Sequence, residues 1–356
     1  MEKGFRKSKI LMVGPGRNVR GGVSTVVNDY YRLGMDQMVE LKYIASMKDG
    51  NKIKKLLVAI TAYLKFCFCV DKYDIVHIHM AAQASFSRKA LFVKKAHRAR
   101  KKIVIHQHAA DFDDFFFQQS NVRKRMKIKT IFGMADKVVV LSDEWARFFG
   151  ENVCAENRIF ILYNGIILPK YKKTDYSDHK VLFLGRLGER KGSYDILKAI
   201  PGILDKVPDA MFYLAGDGDI ENHRKIVENK VSKCHIEFLG WIKEEKREKY
   251  LKDISTFILP SYHEGMPMSI LEAMSYGMAT VSTNVGGIPQ IIENDINGIR
   301  IDAGDVNAIT DTLVDLLQNE SKKKELGQAA YKRVKEQFNA EKNIEKLRQL
   351  YMTLLD

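Results

Sequence analysis

Two carboxylates eight residues apart, Glu264 and Glu272, stand in the segment Ser261-Tyr-His-Glu-Gly-Met-Pro-Met-Ser-Ile-Leu-Glu272. Carboxylates can accept paired hydrogen bonds from the hydroxyls of a sugar or a ribose. The apolar run before them, Ser255 to Pro260, reads as a buried strand. Met268 to Tyr276 reads as a helix, with Pro267 in its first turn. Glu264 then lies on a loop at the carboxyl edge of a sheet, where open α/β folds bind ligands. The plainer alternative is a solvated Glu followed by a capping Glu.

A second group of residues suits an anion. Gly185-Arg186-Leu-Gly-Glu-Arg-Lys191-Gly192 follows the strand Val181–Leu184 and opens a helix. Two cations and a helix N-terminus can neutralise a diphosphate; the alternative is a loop whose Arg and Lys point into water. Gly14-Pro-Gly-Arg-Asn-Val-Arg-Gly21-Gly22 holds the same place after the first strand. It lacks the third glycine of a dinucleotide fingerprint and the Lys-Ser/Thr of a Walker loop. The backbone N–H groups of Gly21 and Gly22 can still approach an anion closely, or simply form a tight turn. At the end of the strand beginning at Lys102, His106-Gln-His108 offers an imidazole able to donate to a sugar hydroxyl. His108 is the candidate; His106 is expected to face the other way and to be structural, and His77 and His79, which show the same strand alternation, are not taken as candidates.

Together these motifs resemble the retaining, two-domain GT-B transferases of glycosyltransferase family 4. That family carries H-E-G-x-P-x-x-x-L-E-A, and this chain reads His263-Glu264-Gly265-Met266-Pro267 and then Leu271-Glu272-Ala273. The resemblance implies that Arg186 and Lys191 bind the donor diphosphate, that Glu264 holds the donor sugar and that Glu272 holds the ribose. It implies that Gly185, Gly265, Met266 and Pro267 also touch the donor, and that Gly240, Trp241 and Ile242 lie where the base binds. Gly21 and Gly22 would face the donor phosphate from across a cleft. His108 aligns with the family's active-site histidine, with Ala109 where a glycine is usual, and Gln290 replaces a glutamate in Gly286-Gly287-Ile-Pro-Gln290. The family needs no metal, so Asp111-Phe-Asp113 and Asp217-Gly-Asp219 read as structural or hydroxyl-binding.

The elements that must position these residues form two similar series. Apolar strands at residues 9–13, 75–79, 102–106, 137–141 and 159–162 alternate with helices. After a linker at 169–179 the pattern restarts, with strands at 181–184, 210–214, 235–239, 256–259 and 279–282. Such runs imply parallel sheets covered on both faces. The expected fold is α/β: two Rossmann-like, doubly wound domains facing a cleft. The resemblance adds that the last helix returns to the first domain, giving 1–168 with 340–356 as the acceptor domain and 169–339 as the donor domain.

Charge is uneven. Residues 1–168 carry 30 Lys and Arg against 15 Asp and Glu, a balance of +15, whereas the whole chain is +14. An anionic partner for the first half follows: an anionic membrane, a phosphate-bearing acceptor or nucleic acid. Base-stacking aromatics or a groove-entering helix are not organised for nucleic acid. Lys52 to Lys65 is a basic, apolar helix that either packs on the sheet or lies in a membrane interface. No stretch is long enough to span a bilayer. The charged opening, Met1 to Lys9, does not resemble a secretory signal. Cys67, Cys69, Cys154 and Cys234 fit no metal or disulfide spacing, and the C-x-C pair reads as buried free thiols in a reducing cytosol.

The expected activity is hexosyl transfer, with retention, from a nucleotide-diphosphate sugar to a lipid-linked or glycan acceptor in surface polysaccharide assembly. The enzyme would be cytoplasmic and peripheral on the inner membrane face, with the nucleotide sugar as co-substrate and no metal or other cofactor. A non-catalytic sugar-nucleotide sensor and a basic nucleic-acid-binding protein are the alternatives.

Overall fold

The computed structural model describes residues 7–228 and 231–356; the opening Met1–Arg6 lies outside them. The chain forms two compact units, Met1–Gly165 with Ala340–Asp356, and Ile166–Asn339.

The first unit is built on six parallel strands in the order β2-β1-β3-β4-β5-β6. They are β1 (Lys9–Gly14), β2 (Glu40–Ala45), β3 (Ile75–Met80), β4 (Lys102–Gln107), β5 (Lys137–Val140) and β6 (Ile159–Ile161). Every residue of β3 is buried, as a central strand covered on both faces requires. The strand β2 escapes a reading by apolar runs. It is an edge strand of sequence Glu-Leu-Lys-Tyr-Ile-Ala in which only Ile44 is fully buried.

The first unit closes with the helix Ala340–Leu355, which buries Ile344, Leu347, Leu350 and Tyr351. Asn343 donates to the Tyr163 carbonyl at 2.9 Å, and the Tyr351 hydroxyl meets His77 Nδ1 at 2.5 Å. Gly165 makes this docking possible, because a Cβ there would lie 2.7 Å from the Ala340 Cα.

The second unit repeats the plan in the order β12-β11-β10-β7-β8-β9, again all parallel. Its strands are β7 (Lys180–Leu184), β8 (Met211–Ala215), β9 (Ile236–Gly240), β10 (Thr256–Leu259), β11 (Ala279–Thr283) and β12 (Ile299–Ile301). The three-residue edge strand β12 is too short to announce itself by composition. Residues 169–179 contain no helix or strand. Pro267 is the N-cap of the helix Met268–Ser275 rather than part of its first turn.

The helix expected from Lys52 runs on to Cys69. It buries Ala62 and Phe66 but leaves Ile53, Leu56, Leu57, Ile60, Leu64 and Phe68 exposed. One face of it is therefore packed, and the other presents apolar side chains at the surface. Cys69 is buried, but Cys67 is only half-buried and Cys234 exposed: C-x-C spacing on a helix turns the two side chains to different sides. Among the described residues, no helix is long and apolar enough to cross a membrane.

Gly165→Ala should destabilise the protein by about 1–3 kcal/mol, the usual cost of overpacking. Gly133→Ala, where a Cβ meets nothing within 4 Å, should be near neutral. Urea unfolding followed by circular dichroism compares the two, and equal midpoints would refute this account of the docking.

Candidate active site

In the second sheet β8 and β9 lie to one side of β7, and β11 and β12 to the far side of β10. The boundary between β7 and β10 is thus a topological switch point, where connecting loops diverge and leave a crevice at the carboxyl edge. The loop after β7 carries Arg186 and Lys191; the loop after β10 carries Glu264. Lys191 Nζ and Glu264 Oε1 meet there in an ion pair whose side chains are 15% and 5% exposed. Ser261 Oγ donates to the same Glu264 oxygen at 2.7 Å. Glu264 is buried, so it is not a solvated surface carboxylate.

Backbone contacts hold the two loops together. Tyr262 N–H donates to the Arg190 carbonyl at 2.9 Å, and the Arg190 guanidinium donates to the His263 carbonyl at 3.1 Å. Gly192 caps the helix Ser193–Leu204 with φ +67°, and a Cβ there would sit 1.9 Å from the Pro260 carbonyl oxygen. Gly286 has φ +53°, and its Cβ would fall 1.7 Å from the Glu264 carbonyl oxygen. Only glycine satisfies both the left-handed backbone and the close approach. Beneath the Lys191 loop, Ser193 Oγ accepts from Gly188 N–H and contacts His223 Nε2, each at 2.8 Å. Asp219 accepts from the Tyr194 hydroxyl at 2.5 Å and from Asn222 at 2.8 Å, which gives its carboxylate a structural occupation.

Glu272 engages a different cation. Arg247 Nε lies 2.7 Å from Glu272 Oε1. Burial pushes the Glu272 carboxyl above its ordinary pKa, and Arg247 pulls it back. Gly240 ends β9 with φ +62°, Trp241 is about half exposed at 48%, and Ile242 is buried. Gly265, Met266 and Pro267 are buried, Gly185 is half-buried, and Arg186 is exposed. Lys191 and Glu264 are in contact, whereas Glu272 lies within the helix Met268–Ser275 with Arg247 as its partner, and Arg186 is exposed.

In the first unit Gly21 is the N-cap of the helix Gly22–Arg32, with φ +138°. A Cβ on Gly21 would meet nothing within 4 Å, so its approach side is open. The loop before it is held by Ser46 Oγ, which donates to the Gly14 carbonyl at 2.9 Å, and by the Tyr43 hydroxyl on the Pro15 carbonyl. His108, half-buried beyond the end of β4, takes a hydrogen bond between its Nε2 and His79 Nδ1 at 2.8 Å. Burial holds His108 down at about 3, with His77 and Lys89 contributing, so its imidazole is neutral at pH 7.

The expectation that His106 faces away from His108 is wrong. The two rings stack with centroids 4.1 Å apart. Side chains two residues apart along an extended chain point to the same face. His106 is buried, as a structural residue would be.

Arg247, Ser261 and His79 were not singled out as partners. Arg247 lies in the strongly charged helix Glu244–Asp253, where nothing in the composition marks one cation from another. Ser261 opens the motif itself and could have been found as a short-range donor to Glu264.

Known proteins match along most of the chain. Residues 37–168 match the Glycosyltransferase Family 4 model and residues 168–333 the model of glycosyl transferases group 1. A UDP-Gal:alpha-D-GlcNAc-diphosphoundecaprenol alpha-1,3-galactosyltransferase of Escherichia coli is 25% identical over 336 residues, covering 85% of this chain and 80% of that one. The sucrose-phosphate synthase of Thermosynechococcus elongatus superposes with a TM-score of 0.82 at 18% identity, covering 98% of this chain and 99% of that one. Anabaena HepE, solved with UDP-glucose, gives a TM-score of 0.78 at 16% identity over 97% and 99%. With two glycosyltransferase domain models in tandem and two six-stranded parallel sheets of the GT-B kind, this chain belongs to the GT-B glycosyltransferases and is a hexosyl-transferring enzyme.

Proposed function

We propose that the enzyme moves a hexose or N-acetylhexosamine, with retention, from a nucleotide-diphosphate sugar to a lipid-linked or glycan acceptor in surface polysaccharide assembly. The observation that carries this is the meeting of Lys191 and Glu264 at the switch point of the second sheet. A cation for phosphate and a carboxylate for sugar hydroxyls stand side by side, at the edge where such folds bind ligands. The E. coli relative is named for a UDP-Gal donor and a lipid diphosphate acceptor, and HepE was solved with UDP-glucose; both favour a UDP-sugar.

The bond from the sugar's anomeric carbon to the diphosphate oxygen breaks as the bond to the acceptor oxygen forms on the same face. The acceptor proton passes to the departing phosphate. Arg186 and Lys191 stabilise the charge that grows on the leaving group, a preorganised electrostatic role, so the donor step has no need of a resident metal. Glu264 exchanges Lys191 for the hydroxyls of the donor sugar. Glu272, held by Arg247, accepts from the ribose. Neutral His108 is a hydrogen-bonding partner for sugar hydroxyls.

For the acceptor side we propose docking on anionic lipid at the inner membrane face. The helix Lys52–Cys69 exposes six large apolar side chains, with Lys54, Lys55 and Lys65 beside them. The helix Gln83–Arg98 packs against it and against the helix Val122–Gly133. That last helix exposes Val122 and Met126 among Arg123, Lys127 and Lys129. Apolar side chains rimmed by cations suit an interface that combines burial with charge.

Lys191→Ala should lower turnover by more than about tenfold, or ~1.4 kcal/mol of transition-state stabilisation, in a UDP-release assay, with native circular dichroism retained. Wild-type turnover in that variant would remove the phosphate role of Lys191. Arg247→Ala should raise the donor KM several-fold and narrow the preference for UDP over 2′-deoxy-UDP; an unchanged preference would detach Glu272 from the ribose. In sedimentation with vesicles, binding should require anionic lipid, weaken with salt, and fall in a Leu57→Ser, Leu64→Ser, Phe68→Ser variant. Equal indifference to anionic and neutral vesicles would sink the membrane proposal.

A further inference from the structure

The core of the first unit contains a cluster of imidazoles that the proposed reaction does not use. His77 and His79 lie on one face of β3, and His106 sits across from His79 on β4. All three are at most 1% exposed. His77 Nδ1 is taken by the Tyr351 hydroxyl and His79 Nδ1 by His108. The other nitrogen of each, and both nitrogens of His106, are buried without a partner. Buried polar atoms of native proteins are nearly always satisfied, and a group of orphans calls for an ion or water.

The three rings are spaced for a common ligand. One nitrogen from each falls within 4.8 Å of the others, and the ring centroids are 4.6, 5.2 and 5.4 Å apart. Three imidazoles bound tetrahedrally to one ion at about 2.0–2.1 Å would place their centroids about 5 Å apart and their ligating nitrogens about 3.3 Å apart. The ring centroids already stand at that spacing. A void of about 20 Å³ lined by His106, Asp29 and Tyr30 adjoins the cluster, room for one water as a fourth ligand.

We propose that His77, His79 and His106 bind one divalent transition-metal ion, Zn²⁺ by the chemistry of an all-imidazole set, as a structural site in the first unit. The ligands are His77 Nε2, His79 Nε2 and a ring nitrogen of His106. Tyr351 and His108 orient two of the rings through Nδ1, in the manner of outer-shell partners. With Nε2 on the ion, His79 keeps its proton on Nδ1 and donates it to His108 Nε2. That fixes the His108 tautomer. The site also ties the terminal helix, through Tyr351, to the ion.

The test uses untagged, full-length protein, stripped with a chelator and titrated with Zn²⁺ and with Co²⁺. The expected result is about one equivalent of metal per chain, a visible Co²⁺ spectrum of tetrahedral type, and a Tm raised by roughly 3–5 °C at saturating Zn²⁺. His106→Gln should abolish all three. The titration of the wild-type chain decides the matter even if that variant does not fold. Absence of both the Co²⁺ spectrum and the Tm shift in the wild-type protein overturns the proposal. So does full metal uptake by a folded His106→Gln protein, which would put the ion elsewhere.

Discussion

The ion pair between Lys191 and Glu264 is the contact on which the second unit's candidate site depends. Its partners come from loops that leave adjacent strands in opposite directions, so neither can be placed unless the β7–β10 pairing is made. A pair this buried contributes little net stability, since desolvation offsets most of the attraction. What it supplies is a pair of charges held in place without water. Under the proposed function, a diphosphate at Lys191 would exchange one anion for another and free Glu264 for a sugar hydroxyl.

That placement is enforced mainly by backbone. Gly192 and Gly286 bring the helix start and the neighbouring loop to within van der Waals contact of the Pro260 and Glu264 carbonyls. A single methyl at either point would push the Lys191 loop off β10, or the Gly286 loop off Glu264. The Ser193, His223 and Asp219 contacts then fix the Lys191 loop from below. Charge sits at the tip, and uncharged or self-satisfied groups make the support. The division suits an electrostatic catalyst, whose dipoles must be set before charge develops.

The second sheet and its site were largely legible because their information is local. Apolar runs, glycine at loop positions and a motif spanning twelve residues each lie within a few turns of chain. What escaped depended on long-range pairing. The edge strand β2 alternates charge and apolarity and looks like surface until β1 is beside it. Arg247 is one cation among many in its helix until Glu272 is opposite. The orientation of His106 was a different failure: the two-residue period alone places it with His108, and the rule was misapplied. His77 and His79 were not taken as candidates, because strand alternation says nothing of the ring nitrogens.

The two units differ in charge, and the net charge of each says little about where a single buried cation sits. Most of the excess positive charge lies in the first half, yet the two cations proposed for a leaving diphosphate, Arg186 and Lys191, belong to the near-neutral second. The first unit's candidate for the reacting sugar, His108, is kept uncharged by its surroundings. A neutral imidazole can still donate one hydrogen bond and accept another. The first unit's net charge resides instead on exposed lysines and arginines of its helices, beside unpartnered apolar side chains. Surface charge of that kind acts over a Debye length on large anionic surfaces, whereas the buried pair acts over a few ångströms on one phosphate group.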